Sequence, residues 1–466
     1  MDLVARPVSL AVSYLGLLML SVSLVAQDWP NWRGPAYNGS SPCTDLPEKF
    51  SKTKSLRWAT DLPGPGACTP VVIGKHVFLS SVDTARDRLV AMCLDRENGK
   101  VIWKKDAGSG YQPGGTGKRT ARGLGRSNYA SPSPVSDGET VVFFFGNGDL
   151  VAYDVKGKEL WRRNVQKDYG DFSFQWTFSA SPTLWEGRVF LPILQRDTKT
   201  HNLGGPSKSA GGPSVDSDRG IESFILALDP KTGKTLYRHL RPSQARKESL
   251  ESYTTMIPHV RKDGRKELLL AGGDVLTGHD PSSGEELWRW GTWNEGHRQV
   301  WWRLVPSVVF GNEVALVCSP KRQPVYAIEL DSNKGELDDK ALLWKSGGRP
   351  NKVSSDVPTP AFDGEHFYVL GDVREAVSKV EPKTGKILWA TDLPKIKWRA
   401  SPTVADGRVY IMSHHGDVAS LDADSGKILH YTKMGNDGDD HIRASVVAAH
   451  KNLFIRTNDK LYCLGK

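Results

Sequence analysis

Apolar and polar side chains alternate along this chain in short paired runs. In ILALDPKTGKTLY, residues 225–237, an apolar run is followed by a Pro, Lys and Gly turn and by a second run that ends in a large ring. Period-two alternation interrupted by such a turn predicts a β-hairpin, because successive strand side chains face opposite sides and Asp, Pro and Gly supply the turn conformations. The pattern returns in VAMCLDRENGKVIW (90–103), LVAYDVKGKELW (150–161), VLTGHDPSSGEELW (275–288), VSKVEPKTGKILW (377–389) and VASLDADSGKILH (418–430), with a looser copy over 326–344.

A second signal precedes each hairpin. CTPVVIGKHVFL, ASPTLWEGRVFL, PTPAFDGEHFYVL and ASPTVADGRVYIM are four of its eight occurrences, each a strand, a tight turn and a strand. Joined to the hairpin that follows, it makes a four-stranded antiparallel unit with strands A to D. Such units cannot bury their apolar faces alone and share a core with their neighbours. Eight of them predict an all-β fold, an eight-bladed β-propeller over residues 51–466. The first hairpin-closing residue, Trp58, has no strands A to C before it, and the last unit ends in strand C, KLYCLGK. The two defects complement each other, so residues 54–58 are expected to pair with residues 460–464 and close the ring without an exposed edge. Trp58, Trp103, Trp161, Tyr237, Trp288, Trp344, Trp389 and His430 fall at one place in every unit and are read as structural wedges between blades.

The recurring A-x-D-x-x-T/S-G-K-x-x-W, seen in ALDPKTGKTLY, KVEPKTGKILW and SLDADSGKIL, resembles the pyrroloquinoline-quinone-type (PQQ-like) propeller repeat. The opening DWPNWRGP, residues 28–35, is similar to the start of exported bacterial PQQ-like proteins. The resemblance covers about residues 55–466 and implies two functional branches. One is the quinoprotein dehydrogenases, which use PQQ and Ca²⁺; the other is non-enzymatic scaffolds similar to BamB of the outer-membrane assembly machinery. The enzyme branch implies a Glu, Asn and Asp set around Ca²⁺, a catalytic Asp, a Trp floor and, in many members, a disulfide between adjacent cysteines. No two cysteines are adjacent here and no such set is placed, so no catalytic residue, cofactor or metal is assigned. The BamB-like branch is usually lipid-anchored, and no Cys follows Ala26. The expectation is an exported BamB-like scaffold that binds a protein or ligand in cell-envelope or outer-membrane assembly. The alternatives are a PQQ-dependent dehydrogenase and a glycan-binding propeller.

Composition keeps to the all-β reading, with 38% hydrophobic residues, 46 Gly and 15 Trp, and adds a feature at the N-terminus. Arg6 precedes the apolar stretch 8–26 and the chain turns polar at Gln27, the layout of a secretory signal. Residues 1–26 are read as that signal and 27–50 as an N-terminal extension. The mature chain is expected in the periplasm or outside the cell, associated with the envelope, with no membrane span left after cleavage. A formal charge of +9 favours anionic partners, but no Lys/Arg block or recognition motif supports nucleic-acid binding. Cys43, Cys68, Cys93, Cys318 and Cys463 match no metal spacing and are read mainly as small buried hydrophobes, with room for one disulfide.

Strand parity places the A–B and C–D turns on one face and the B–C turns and D–A crossovers on the other. The first set is short, as in SDGE, WEGR and KTGK, apart from DSNKGELDDKA (331–341). The second set holds the long segments 105–128, 164–177, 195–220 and 290–303, which mark the expected interaction surface. Residues just before strand A should ring the channel mouth on that face: Arg126, Tyr129, Trp176, Phe178, Trp302, Arg303, Trp398, Arg399 and Arg443, with His441 beside them. Aromatic planes and guanidinium groups suit an anionic or planar ligand. The competing reading is that these residues plug the channel by pairing with acids such as Asp356 or Asp440.

Other candidate chemistry is weaker. His414 and His415 are adjacent in a B–C turn, where neighbours point to opposite sides, so joint metal ligation is not expected. DGDDH (437–441) is acid-rich but lacks the full calcium-loop pattern. Glu295 and His297 have the chemistry of an acid/base pair but are read as part of a solvated loop. Gly117-Lys118 is followed by Arg119, so the phosphate-loop pattern is absent.

Overall fold

In the strands Arg88–Asp95 and Asp149–Asp154 every residue except the terminal ones is buried, whichever side of the strand it lies on. Strands of this kind must be covered on both faces, and sheet packed on sheet supplies the cover. The computed structural model describes residues 27–110, 128–197, 221–291, 293–330, 334–348 and 351–466. Among them are eight sheets, each with four antiparallel strands in the order A-B-C-D, forming the blades of a propeller. The innermost strands are short: Val71–Ile73, Val135–Ser136, Thr183–Trp185, Ile257–Val260, Val309–Gly311, Ala361–Phe362, Thr403–Ala405 and Val447–Ala449 in blades 1 to 8. The apolar core is a series of clusters shared between adjacent blades. One joins Phe144 and Trp161 of blade 2 to Leu191 and Leu226 of blade 3. No helix among the described residues is long and apolar enough to cross a membrane, and the expected signal segment 1–26 lies outside those residues.

The ring closes as expected, with a small shift. Strand Leu56–Asp61 supplies the outer strand of blade 8 by pairing with Lys460–Gly465, so that Trp58 opposes Cys463 and Asp61 opposes Lys460. The paired segment runs three residues further than position 58 and contains a register irregularity between Leu56 and Trp58.

Two recurrent devices hold the blades together. The first is a belt of hydroxyls along the channel. Backbone N–H groups donate from Thr69 to Ser133 Oγ (2.8 Å), Ser133 to Ser181 (3.0 Å), Ser181 to Thr255 (3.1 Å), Thr255 to Ser307 (2.9 Å), Ser307 to Thr359 (2.9 Å), Thr359 to Ser401 (3.0 Å) and Ser445 to Thr69 (3.0 Å). Each bond crosses to the next blade, which explains why a Ser or Thr recurs at the head of every unit. The second device is the wedge. Trp58, Trp103, Trp161, Trp344 and Trp389 donate Nε1 to the carbonyls of Arg96, Val155, Pro230, Pro382 and Ala423 in the neighbouring blade, at 2.7–3.1 Å. Trp161 also lies flat on Gly233, whose φ is 68° and where a Cβ would come within 2.5 Å of the indole. Glycine is required there for both reasons.

Blade 4 departs from the pattern. The enlarged loop of blade 5 folds along it, and Gly335–Glu336 pairs in parallel with strand Glu286–Gly291 as a fifth strand. Without a short glycine turn to rest on, Trp288 donates instead to Glu267 Oε2 of its own blade (2.9 Å). At the ring closure, His430 takes the wedge position and bonds the Phe50 carbonyl (2.7 Å). All five cysteines are free and buried, so no disulfide forms.

Candidate functional site at the channel mouth

The channel has two ends, and residues 27–50 occupy the one on the plain face. Trp29 exchanges backbone bonds with Val72 (2.7 and 2.9 Å), Pro30 O accepts from Ser136 (3.0 Å), Asn38 O from Phe362 (2.9 Å) and Gly39 O from Val404 (2.9 Å), so the segment is tied to blades 1, 2, 6 and 7. Tyr37 reaches blade 3, its hydroxyl donating to Leu184 O (2.7 Å). Between these ties Arg33, 1% exposed, donates Nη2 to Pro360 O (2.8 Å) and Pro402 O (3.1 Å). Burial lowers its pKa to about 9. DWPNWRGP is therefore a plug, a role its sequence does not announce.

The loop-face end keeps a cavity of about 80 Å³, lined by Trp176, Tyr253, Arg303, Arg399 and Arg443 among others. These residues come from separate crossovers, each a few positions before its strand A. Carboxylates stand behind the arginines. Arg303 is 3.4 Å from Asp356 and 3.9 Å from Glu248, and Arg399 is 3.1 Å from Asp372. Arg196 pairs with Glu251, which also accepts from the Tyr253 hydroxyl (2.7 Å).

The electrostatics follow from burial set against these partners. Burial raises Glu251 to about 7 against the pull of Arg196 and the Tyr253 hydroxyl, and raises Asp372 to about 6 against that of Arg399. Glu248 is also raised by burial, with Arg303 opposing. Burial acts on Asp356 in the same direction, but Arg303, the Lys321 N–H and Arg399 together hold it below the ordinary carboxylate value. The mouth is thus a ring of paired charges around a small open space.

Of the residues expected at the mouth, Trp176, Arg303, Arg399 and Arg443 line this cavity. Phe178 and Trp398 turn the other way. Phe178 is 1% exposed and packs on Phe172 and Phe144, while Trp398 is fully buried, with Nε1 donating to Pro394 O (3.0 Å). Trp398 is the immediate neighbour of Arg399 in extended backbone and so points to the opposite side, whereas Phe178 lies two residues from Trp176 in irregular backbone, where no strand alternation sets its direction. Tyr129 is half-buried against the core of blades 1 and 2, and burial pushes its hydroxyl up to about 12. Trp302 packs half-buried on the core around Trp290. Arg126 lies outside the described residues, as do 111–127 and 198–220. Asp356 is a partner of Arg303 as the plugging reading anticipated, whereas Asp440 pairs with His441 (3.2 Å). Sequence reasoning missed Glu248, Glu251 and Tyr253, which lie in ESLESY (248–253), a crossover with no repeat signal, and Asp372, in the B–C turn of blade 6.

Two other groupings form. His297 bonds Asp274 rather than Glu295, its Nδ1 lying 2.9 Å from an Oδ2 that also accepts from Asn294 (2.7 Å). His414, Asp440 and His441 bring one potential ligand atom each within 4.8 Å of one another. The cofactor pair that the PQQ-type repeat implies does not fit the mouth. A ligand of that size is normally held in ~300–1,000 Å³, against about 80 Å³ here. Ca²⁺ takes oxygen ligands, and the carboxylates at this mouth are turned to arginines.

A family model described as outer membrane protein assembly factor BamB, of the PQQ-repeat type, matches residues 50–195 and 325–464, more than half of the chain. The chain belongs to that family. BamB of Yersinia pestis is 22% identical over 263 residues, covering 52% of this chain and 59% of the relative. The chain thus spans about three fifths of that curated relative's length. BamB from Moraxella catarrhalis superposes with a TM-score of 0.59 at 11% identity, over 88% of this chain and 99% of that one. A europium-containing methanol dehydrogenase superposes with a TM-score of 0.65, also at 11% identity, over 96% and 100%. At such identities these likenesses establish the shared propeller, and BamB-family membership does not by itself decide between scaffold and enzyme.

Proposed function

We propose that this BamB-family propeller is an exported, non-enzymatic scaffold that holds a protein partner of the cell envelope on its loop face, in the manner of an outer-membrane assembly factor. The observation that carries this reading is the asymmetry of the channel. The plain end is filled by the chain's own plug around Arg33, whereas the loop-face end keeps a cavity bordered by Arg303, Arg399 and Arg443. Recognition there takes the form of an acidic or planar side chain of the partner set against guanidinium groups, with the surrounding loops supplying area. The poor fit to a tricyclic quinone speaks against the dehydrogenase alternative.

Mixing the purified chain with PQQ and Ca²⁺ tests this reading. The expected result is no stoichiometric quinone absorbance after gel filtration and no dye-linked alcohol oxidation. One quinone retained per chain, with oxidation, would replace the scaffold by a dehydrogenase.

A further inference from the structure

His414 is 2% exposed, yet neither of its ring nitrogens has a hydrogen-bond partner. Buried polar groups are nearly always satisfied, and an exception calls for a ligand or another explanation. The backbone of His414 is fixed on both sides: its N–H donates to Lys397 O (2.9 Å) and its carbonyl accepts from the Ile442 N–H (3.0 Å). The second bond ties the B–C turn of blade 7 to the crossover into blade 8 and brings His441 and Asp440 alongside. The two imidazole rings are 5.1 Å apart between centroids, and Asp440 Oδ2 is 3.2 Å from His441 Nε2. One ligand atom from each of the three residues lies within 4.8 Å of the others.

We propose that His414, Asp440 and His441 form a site for a divalent transition metal of the zinc class. Two imidazole nitrogens and one carboxylate oxygen are a ligand set that Zn²⁺ takes with a fourth position open to water, whereas Ca²⁺ and Mg²⁺ take oxygens. Burial, with Arg443, Arg399 and Lys397 nearby, disfavours a proton on the His414 ring. The same cations repel a metal ion. Asp440 answers them within the ligand set, and Asp437 and Asp439 add negative charge to the same crossover. His415 is outside the set: its side chain is 53% exposed and its Nδ1 is 3.1 Å from the Asp439 carbonyl. A metal bound here ties the B–C turn of blade 7 to the crossover that carries Arg443, and so stiffens one side of the mouth.

The test uses the untagged full chain, stripped with EDTA and titrated with Zn²⁺ against a chromophoric chelator. Wild type and His415→Ala are expected to hold one equivalent, and His414→Ala and Asp440→Asn to lose it while melting in EDTA like wild type. No retained Zn²⁺ in the wild type, or retention by His414→Ala, overturns the site. If His414→Ala fails to fold, Co²⁺ in the wild type decides. The intense visible absorption of a tetrahedral nitrogen/oxygen site supports the proposal, and the weak absorption of an octahedral aquo ion contradicts it.

Discussion

Both ends of the channel carry arginine, buried at one end and half-buried at the other, and they hold it differently. At the plain end Arg33 arrives on the N-terminal extension and is held by the carbonyls of Pro360 and Pro402. At the loop-face end Arg303 and Arg399 belong to the blades themselves and are held by Asp356, Glu248 and Asp372 around a cavity. An arginine sealed among carbonyls has nothing to exchange and serves architecture. Arginines held by carboxylates behind them and bordering open space in front keep N–H donors that can turn to an incoming anion while those pairs stay in place. The same residue type therefore closes one end and leaves the other able to recognise.

The contrast can be broken at either end. Deleting residues 27–61 removes both the plug and the closing strand Leu56–Asp61, leaving strand Lys460–Gly465 unpaired. The cooperative melting transition is expected to disappear or to fall further than in any point variant. Trp29→Ala empties a fully buried site where plug, blade 1 and blade 8 meet. It is expected to cost ~3–5 kcal/mol in denaturant unfolding. Arg303→Ala removes a charge partner from both Asp356 and Glu248, and with the Arg303 side chain 15% exposed the loss is expected at about 2–4 kcal/mol. A loss near zero for Arg303 would mean that its ion pairs are idle.

The carboxylates sharpen the comparison through pH. Glu251 has its pKa raised from 4.5 to about 7, so between these values the folded state keeps a proton that the unfolded state has lost. Stability from this group is therefore greatest at low pH and falls as pH rises from 4.5 towards 7. Glu251→Gln lacks that dependence. Relative to wild type it should gain stability on going from pH 5 to pH 8, by up to about 3 kcal/mol. An unchanged difference between the two proteins would show that Glu251 is charged throughout.

Much of this was legible in the sequence, and what was not shares a cause. Blade number, the A-to-D order and the closing pair came from repetition, which reports local hairpins directly. Even there the closing strand ran to Asp61, three residues past the wedge position that the repeat marks, and its register irregularity between Leu56 and Trp58 left no trace in the pattern. The mouth positions of Arg303, Arg399 and Arg443 followed from repeat position, but side-chain direction did not, and Phe178 and Trp398 turned into the core. Arg33 meets partners 327 and 369 residues away, a distance over which no local pattern carries information. The histidine cluster was hidden for the same reason: His414 and DGDDH were each weak alone, and the fold sets part of one beside part of the other.

The most direct test compares the two faces in living cells. A photo-crosslinking side chain is placed at Trp301, 50% exposed beside Arg303 on the loop face, or at Glu186, in the A–B turn of blade 3 on the plain face. Illumination should trap a discrete envelope protein from position 301 and none from position 186, with the 301 product lost when Arg399 and Arg443 are changed to Ala. A discrete product from position 186 alone would contradict the assignment of recognition to the loop-face end.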